Sequence, residues 1–491
     1  MNYLGIDIGT GGTRAVVIDG DGEVLACEVS EHPAFASPKI GWAEQSPDDW
    51  WDACVIAVRR IFKTVPADTI GAVSFSGQMH GSVMLDGADR PVRPALLWCD
   101  QRTARQCDEI TETVGLEELI RRVSNPAVTG FTLPKILWVR ENEPEIWDTV
   151  RSVLLPKDYV RFRLTGDKAS DVADSSGTLL FDVSRRAWSR EMLDSFAIDP
   201  SLLPAVFESP QITGEVSASG SEQTGLRRGT PVVAGAGDNA AGAIGMGVTG
   251  PGTLSATIGT SGVLFGVTDV PSLDTRGRIH TLCHAVPGRW HHTGVTLAAG
   301  LSLKWFRNNF TNGATYDELG ALAGQAPSGA NGAVWLPYLM GERTPHLDPN
   351  ARAAFVGLTA SHTLGDLVRA VMEGVAFSLR DSLEIFKELG TPVERIRLGG
   401  GGAKSELWRR IQADVYGHPV EVLAADEGAA FGAAILAGVG AGEWNSVDEA
   451  CERTVRVVET VDPDRRAAEA LERNYEVYRR LYPALRYAFA D

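Results

Sequence analysis

Cysteines and long apolar runs are what this sequence has least of. Its 491 residues include six cysteines, which are scattered along the chain and form no CxxC pair. Cysteines used in this way are typical of reduced thiols in a cytosolic protein. No apolar run is long enough to span a bilayer, and the chain opens on an apolar strand without a basic leader and cleavage site. These absences predict a soluble protein of the cytoplasm.

A basic run is also missing. Asp and Glu outnumber Lys and Arg by 63 to 46, which gives a formal net charge of -17. A chain of that charge repels nucleic acids and anionic membranes unless a local basic patch intervenes. We therefore expect neither a nucleic acid nor a membrane among its partners.

The composition that is present is that of a large globular protein. Hydrophobic residues make up 44% of the chain and charged residues 22%. The length exceeds one ordinary core, so we expect two large domains or more. The 53 glycines fall largely in short clusters within apolar surroundings, which indicates tight turns and close backbone approaches.

The order of the predicted elements indicates the α/β class. Strands and helices alternate along the chain, as the patterns of apolar residues show. The clearest elements are strands at residues 3–8, 13–19 and 23–29, a helix from residues 46–49 to about 62, and a strand at residues 70–76.

An internal repeat divides the sequence. Residues 4–12 resemble residues 254–262, about 250 residues further on, and each copy contains Ile-Gly-Thr at the tip of a predicted β-hairpin. Two copies so far apart indicate two similar domains that face each other rather than a solenoid. We place the domains at residues 1–248 and 249–491.

The two hairpin tips are candidate phosphate loops. Their small residues let several backbone N–H groups converge on an anion, although a plain hairpin turn also favours glycine. Two matched loops favour the phosphate interpretation over the plain turn. The loop glycines stand at 9, 11 and 12 and at 259 and 262, and the side chains that can add donors or charge are Thr10, Thr13, Arg14 and Thr260.

Asp7 is a candidate metal ligand. It lies in a strand between the apolar residues Ile6 and Ile8, where an unpaired carboxylate is costly. A carboxylate next to a phosphate loop is well placed to hold Mg²⁺ through water. The second loop has Thr257 at the equivalent position, so we expect only the first loop to hold the metal ion.

A third glycine cluster points to the nucleotide. Residues 399–402 follow a predicted strand at 395–398 and precede a predicted helix at 405–416. A strand, a glycine-rich turn and a helix N-terminus commonly form the nucleotide side of a site. The sequence contains no GxxxxGK[ST] loop.

Asp238 is the candidate general base. It follows a predicted strand and a tight turn, and it begins a helix of very small residues. Phosphoryl transfer needs a carboxylate that positions and deprotonates the attacking hydroxyl. The alternative is that Asp238 only caps the helix. We expect the Ala/Gly helix to leave the carboxylate uncrowded, next to a cleft before the second domain.

Several motifs in order resemble the FGGY family of carbohydrate kinases. Residues 130–142 resemble the first signature of that family, and residues 353–358, 366–367 and 370–373 resemble the second. The resemblance runs from Asp7 to about residue 442. It implies two ribonuclease-H-like domains of the actin-like ATPase type around a central cleft, with the sugar on the N-terminal side and the nucleotide on the C-terminal side. It also implies ATP and Mg²⁺ as cofactors, a small sugar as substrate and a possible homodimer.

The sugar segment resembles one branch of that family. Residues 76–81, 97–102 and 171–178 resemble the members that phosphorylate D-xylulose on its 5-hydroxyl. Members that act on glycerol carry Arg-Glu where this sequence has Met79 and His80. Cys99 departs from the pattern, since many relatives carry Asn there.

The resemblance implies a role for individual residues. Asp238 would be the general base, and Asn239 beside it would contact the substrate. Met79 and His80 would line the sugar pocket, and Asp7 would act with Mg²⁺. Thr10, Thr13, Arg14, Gly259 and Thr260 would surround the phosphates of ATP, with Gly300, Gly401 and Ser405 on the nucleotide side.

Two alternatives stay open at this point. A kinase of the same family could act on ribulose, another ketose or a polyol. An actin-like ATPase without a sugar substrate would use the same two loops and Asp7. The closely spaced His280, His284, His291 and His292 predict buried or surface histidines rather than a metal site, because no Cys or Glu set flanks them.

Overall fold

A computed structural model describes residues 1–424 and 428–489. Strands and helices alternate through the chain and form two seven-stranded sheets with helices packed against them. The predicted α/β class is confirmed. Among the described residues, no helix is both long and apolar enough to cross a membrane.

The first half of the chain, up to the helix that begins at Asp238, forms the first sheet and its cover. Its strands are β1 (Asn2–Ile8), β2 (Gly12–Ile18), β3 (Val24–Glu31), β4 (Glu44–Gln45), β5 (Ile70–Gly77), β6 (Val83–Leu85), β7 (Ala95–Leu96), β8 (Ser152–Leu154), β9 (Ala169–Asp171), β10 (Phe181–Asp182), β11 (Ala187–Trp188), β12 (Ala205–Phe207), β13 (Ile212–Glu215), β14 (Pro231–Val233) and β15 (Ala236–Gly237). Its helices are α1 (Pro47–Ile61), α2 (Ala104–Val114), α3 (Leu116–Val123), α4 (Thr132–Asn142), α5 (Pro144–Trp147), α6 (Pro156–Thr165), α7 (Val172–Ser175), α8 (Arg190–Ser195), α9 (Ala218–Thr224) and α10 (Asp238–Gly245).

The second half forms the second sheet. Its strands are β16 (Gly252–Ile258), β17 (Gly262–Thr268), β18 (His280–Cys283), β19 (Trp290–Thr296), β20 (Val334–Leu336), β21 (Ala354–Val356), β22 (Val393–Gly400), β23 (Val420–Leu423) and β24 (Val457–Val461). Its helices are α11 (Gly300–Phe310), α12 (Tyr316–Gln325), α13 (Leu364–Glu388), α14 (Glu406–Tyr416), α15 (Gly428–Gly440), α16 (Val447–Thr454) and α17 (Arg465–Leu485).

The two sheets repeat one topology. The first has the order β13-β14-β5-β1-β2-β3, and the second has β18-β19-β17-β16-β22-β23-β24. In each sheet the central strand, β1 or β16, pairs antiparallel with the next strand of its hairpin and parallel with a later strand, β5 or β22. The internal match in the sequence is therefore a match of two similar folds.

The predicted local elements agree with the structure within a few residues. Helix α1 has Pro47 in its first turn, acidic residues beside it and two arginines in its last turn, which complement the helix dipole. Its apolar face buries Trp50 and Trp51 against the first sheet. The strand before the third glycine cluster is β22, and the helix after that cluster is α14.

Helices α10 and α15 join the two halves through a contact without side chains. A β-carbon at Gly432 would lie 1.8 Å from the carbonyl oxygen of Ala241, and one at Gly245 would lie 2.6 Å from that of Gly428. Small residues let two helix backbones approach this closely. The expectation that the Ala/Gly helix leaves its surroundings uncrowded fails on the face toward α15, where the small residues serve close packing. It holds on the face that lines a cavity with Asp238, where a β-carbon at Gly242 would meet nothing within 4 Å.

Helix α15 comes from the second half but covers the first sheet. Its residues Phe431 and Ile435 share a core cluster with Tyr3 and Val16 of that sheet. A β-carbon at Gly5 would lie 2.0 Å from the carbonyl oxygen of Ala430 in this helix. The two halves are thus interlocked rather than joined by a single linker.

Replacing Gly432 tests the interlock. The change Gly432→Ala places a methyl group against the α10 backbone, and overpacking of this kind costs about 1–3 kcal/mol of unfolding free energy. Urea unfolding followed by circular dichroism measures the loss. The control is Gly320→Ala in α12, where a β-carbon would meet nothing within 4 Å. It should be neutral or stabilising, and a Gly432→Ala protein as stable as that control would contradict the contact.

Candidate active site

A hydrogen bond from the first glycine closes each of the two glycine-rich loops, and the second loop is one residue shorter than the first. The N–H of Gly9 donates to the carbonyl of Gly12 at 3.0 Å, and the N–H of Gly259 donates to the carbonyl of Ser261 at 2.9 Å. Each loop joins the central hairpin of its sheet, β1–β2 or β16–β17. The repeat therefore extends to the position of the loops in their sheets, with small residues at both tips where N–H groups can converge on an anion.

A cavity of about 840 Å³ lies beside the second loop. Helix α11 begins at Gly300, whose N–H donates to the carbonyl of Gly259 at 2.8 Å, so the helix N-terminus abuts the loop. A β-carbon at Gly300 would lie 2.4 Å from that carbonyl oxygen. A helix N-terminus in this position favours phosphate. The cavity brings together five of the residues predicted to contact ATP, namely Gly259, Thr260, Gly300, Gly401 and Ser405.

The same cavity has lining residues that the sequence motifs did not single out. The hydroxyl of Ser405 accepts a hydrogen bond from the N–H of Trp408 at 3.3 Å and caps α14, so this serine has a structural role as well. The other lining side chains come from helices far apart along the chain; Met372 lies within the motif matched at residues 370–373, and the others lie outside the matched motifs. They include Leu303, Lys304, Tyr316, Met372 and Trp408.

A second cavity, of about 600 Å³, lies between α10 and the second sheet. Asp238 and Asn239 line one side of it, and Thr257 and Gly399 line the other. Lys404 lines both cavities, so the two adjoin. The predicted base and the predicted nucleotide site are therefore neighbours across one cleft.

The hydroxyl groups of the first loop differ in orientation. Thr10 Oγ1 accepts a hydrogen bond from Trp98 Nε1 at 3.0 Å and lies 3.4 Å from Gln78 Oε1, so the loop is tied to the sugar segment. Thr13 is fully buried, and its Oγ1 lies 2.8 Å from His32 Nε2. The structure does not bring the Thr13 hydroxyl into the cleft, because alternate residues of a strand face opposite sides.

Asp7 lies on β1, between Arg14 on β2 and Ser76 on β5. Among the described residues its Oδ1 is buried and has no hydrogen-bond partner. Burial raises the pKa of this carboxyl group, while Ser76 and the charge of Arg14 lower it. A buried carboxylate oxygen without a partner fits a hydrated Mg²⁺. No group of three metal-binding side chains occurs in the described part of the chain, so water and phosphate would supply the other ligands.

Asp238 is the first residue of α10, and it does not cap the helix. Gly237 occupies the N-cap position, and the Oδ1 of Asp238 accepts a hydrogen bond from Asn239 Nδ2 at 3.2 Å. Burial, together with the nearby charge of Asp7, raises the pKa of Asp238 to about 7. A carboxyl group that ionises near neutrality beside a cleft is suited to general-base chemistry.

Met79 and His80 stand next to the base. Asn239 Nδ2 lies 3.6 Å from the sulfur atom of Met79, and the His80 ring stacks on Phe131 with centroids 4.4 Å apart. Burial and the charge of Lys135 hold the pKa of His80 well below its usual value, so the ring is neutral. His80 has a φ of 68°, a left-handed conformation that is uncommon for non-glycine residues.

Two residues outside the predicted set hold His80 in place. The carbonyl of Gly177 lies 2.8 Å from His80 Nδ1, and a β-carbon at Gly177 would lie 2.4 Å from the ring. The ammonium group of Lys135, which is fully buried, donates to the carbonyls of His80 at 2.8 Å and of Gly130 at 2.5 Å. Burial lowers the pKa of Lys135 to about 7. The signal for both residues lay in the motifs at 130–142 and 171–178, which were matched without a role for either.

A buried charge cluster supports the turn that carries Gly177. Lys157 Nζ lies 2.5 Å from Asp158 Oδ1 and 2.6 Å from Asp171 Oδ2, and all three side chains are fully buried. Asp171 also accepts hydrogen bonds from the backbone at the start of α7, the short helix that leads to Gly177. Because a buried charge is tolerated only when it is paired, the cluster fixes the start of this turn.

The closely spaced histidines are core residues, as predicted. His284 Nε2 lies 2.9 Å from the carbonyl of Val248, and His292 Nε2 lies 2.9 Å from that of Ser272. Burial lowers the pKa of both residues. They belong to the packing of the second sheet.

The paired sheets, the two glycine loops and the carboxylate in the cleft define a phosphotransferase of the actin-like ATPase fold. The N-terminal domain of the FGGY family of carbohydrate kinases matches residues 2–245, and the C-terminal domain of that family matches residues 254–441. The chain belongs to the FGGY family of carbohydrate kinases. It is a carbohydrate kinase, with ATP as a substrate.

The similarity to named members extends over nearly the whole chain. A xylulose kinase of Bacillus subtilis is 38% identical over 485 residues, which are 98% of this chain and 97% of the relative. A xylulose kinase of Escherichia coli is 38% identical over 484 residues, 98% of this chain and 99% of the relative. The solved xylulose kinase from Rhodospirillum rubrum superposes with a TM-score of 0.93 at 30% identity and covers 100% of both chains.

Replacing Gly177 tests how His80 is held. The change Gly177→Ala places a methyl group inside contact distance of the His80 ring, so the ring must move. We expect the KM for sugar to rise about tenfold, which corresponds to the loss of one hydrogen bond or contact. The KM for ATP should not change. The control is Gly87→Ala on the surface, where the nearest atom would lie at 3.8 Å. Equal sugar KM values for the two variants would contradict the role of Gly177.

Proposed function

We propose that this kinase transfers the γ-phosphoryl group of ATP to the 5-hydroxyl of D-xylulose and yields D-xylulose 5-phosphate. The observation that carries the proposal is Asp238, a carboxyl group with a pKa of about 7 between the nucleotide cavity and the pair Met79–His80. The names of the full-length relatives supply the sugar. The segments that resemble the D-xylulose branch, including Met79 and His80, support the same choice.

Asp238 is the proposed catalytic residue. Its carboxylate accepts the proton of the 5-hydroxyl as that oxygen attacks the γ-phosphorus, and the bond from phosphorus to the β,γ-bridging oxygen breaks. Asn239 donates a hydrogen bond to the carboxylate and so orients it. Met79 and His80 form the wall against which the sugar is held.

The phosphates of ATP are proposed to lie between the two loops. Thr10 and Arg14 face them from the first loop, and Gly259 and Thr260 from the second. The proposal for Thr13 is limited to its backbone, since its hydroxyl contacts His32. Gly300, Gly401 and Ser405 contact the nucleotide in the cavity of about 840 Å³.

Asp7 is the proposed holder of Mg²⁺. Its Oδ1, which accepts no hydrogen bond from a described residue, would bind the hydrated ion beside the first loop. When bound, Mg²⁺ neutralises charge on the β- and γ-phosphates.

The 5-hydroxyl sets the form in which the sugar reacts. The furanose ring of a ketopentose uses that hydroxyl to close on C2, so a free 5-hydroxyl requires the acyclic form with its ketone at C2. The sugar therefore binds in its acyclic form, with C5 at Asp238.

ADP release in a coupled assay tests the substrate, with D-xylulose, D-ribulose, L-ribulose, glycerol and gluconate compared at equal concentration. We expect D-xylulose to stimulate most strongly. A stronger response to another compound would support the kinase activity but identify a different substrate. Steady ATP hydrolysis that no sugar changes would favour the ATPase alternative.

Loss of the base should abolish most turnover. Asp238→Asn keeps the size and the hydrogen-bonding shape of the side chain but cannot accept a proton, so we expect kcat to fall by about 10²-fold or more. ATP binding, measured by calorimetry, should be retained. Turnover within a few-fold of the parent protein would contradict the assignment of Asp238 as the general base.

The pH profile should report the same group. Because the pKa of Asp238 is raised to about 7, the carboxyl group is protonated and inactive at lower pH. We expect kcat/KM for the sugar to rise as pH increases through about 7 and then to level off. The residual activity of Asp238→Asn should lack this rise, and a profile that is flat through this range in the parent protein would contradict the assignment.

The domain boundary, the cellular location and the oligomeric state are three further proposals. The division at residues 248 and 249 assigns the base to an N-terminal domain and the nucleotide to a C-terminal domain. The protein is expected in the cytoplasm, where its cysteines stay reduced. Light scattering in solution would show whether it forms the homodimer that the family resemblance implies.

A further inference from the structure

A lysine of the second half stands where the two cavities of the cleft adjoin. Lys404 lines the cavity of about 840 Å³ together with Gly259, and it lines the cavity of about 600 Å³ together with Asp238. It is the only described residue that lines both of these cavities. A group that extends from the nucleotide side toward the base therefore comes close to this lysine.

The third glycine cluster fixes the backbone of Lys404 beside the second phosphate loop. A β-carbon at Gly402 would lie 2.6 Å from the β-carbon of Ile258, the residue before that loop. A β-carbon at Gly400 would lie 2.6 Å from the carbonyl oxygen of the same isoleucine. The N–H of Lys404 donates to the carbonyl of Gly401 at 3.2 Å, and the residue after the lysine caps α14. The exposed side chain thus extends from a fixed point at the edge of the cleft.

The ammonium group of Lys404 has no partner among residues 1–424 and 428–489: no hydrogen bond, ion pair or cation–π contact joins it to them. Two neighbouring cations that line the same cavities are engaged instead. Arg409 Nη1 lies 2.6 Å from Glu459 Oε2, and Arg410 Nη2 lies 2.5 Å from Glu406 Oε1. The three donors of Lys404 can therefore serve a ligand without the loss of a protein contact.

The charges of the cleft favour a cation at this place. Asp7 and Asp238 both bring carboxyl groups to the cleft, and the chain as a whole has a formal net charge of -17. A triphosphate beside these groups is repelled unless positive charge compensates it. The Mg²⁺ proposed at Asp7 would compensate on the side of the first loop, whereas Lys404 lies on the side of the second. Lysine is a common ligand of phosphate, to which it presents a compact charge.

We infer that Lys404 binds the γ-phosphoryl group of ATP and is a catalytic residue of its transfer. The inference rests on the proposed function, because it takes the phosphates between the two loops and the attacked phosphorus next to Asp238, but it does not depend on which sugar is bound. The γ-phosphoryl group is the part of ATP that must reach the side of the base. The ammonium group donates to a non-bridging oxygen of that group and neutralises negative charge during transfer to the sugar hydroxyl.

Calorimetry with MgATP and MgADP tests this contact without turnover. Lys404→Met removes the ammonium group from an exposed side chain, so the fold should be kept. The loss of a hydrogen bond between charged groups should weaken MgATP binding about 10- to 100-fold. MgADP has no γ-phosphoryl group, so its affinity should not change. Lys404→Arg, which keeps the charge, should restore most of the affinity for MgATP.

Steady-state kinetics give a second readout. Because the lysine acts on the transferred group, the kcat of Lys404→Met should fall about 10- to 100-fold at saturating ATP. The KM for the sugar should not change, since no sugar contact is removed.

The matched comparison is Lys304→Met. Lys304 is also exposed and has no partner in the described part of the chain, but of the two cavities it lines only the nucleotide cavity. Its loss should affect the binding of MgATP and MgADP alike.

Equal losses of MgATP and MgADP affinity in Lys404→Met, or an unchanged affinity for MgATP, would overturn the inference. If the parent protein shows no turnover that depends on a sugar, the proposed function fails, and that outcome is read from the parent protein alone. The comparison of the two nucleotides still tests Lys404 in that case.

Discussion

The fold depends on one helix contact that contains almost no side chain. Helices α10 and α15 touch through backbone at Gly432 and Gly245, because no larger residue fits there. Helix α10 begins with Asp238, and α15 lies on the strand that carries Asp7. The first sheet places the two carboxylates near each other, because β5 pairs both with β1, which carries Asp7, and with β15, which leads into Asp238. The glycine contact then packs the helix of the base against the helix that covers this sheet.

The sugar side is stabilised in a different way. His80 has a backbone conformation that costs roughly 1–3 kcal/mol for a residue with a side chain, and such strain persists only when its surroundings fix it. Here Gly177 bonds the ring, Lys135 bonds the backbone carbonyl and Phe131 covers the ring face. Burying a lysine side chain costs free energy, and here the buried lysine holds a backbone carbonyl. This cost indicates how strongly the position of the His80 ring is constrained.

Local features of the sequence predicted much of the fold and of the site. The hairpin loops, Asp7 and the start of α10 at Asp238 all follow from patterns within a few neighbouring residues. The direction of the Thr13 side chain and the partners of His80 depend on contacts between distant segments. Sequence order also could not show that α15 packs on the first sheet, because an apolar helix of small residues suits either half.

The packing of α15 has a consequence for how the protein is made. One face of the first sheet, which includes Tyr3 and Val16, is covered by Phe431 and Ile435. During synthesis that face stays open until more than four hundred further residues have left the ribosome. The first half of the chain therefore keeps apolar surface exposed during this time, a state that favours chaperone binding over independent folding.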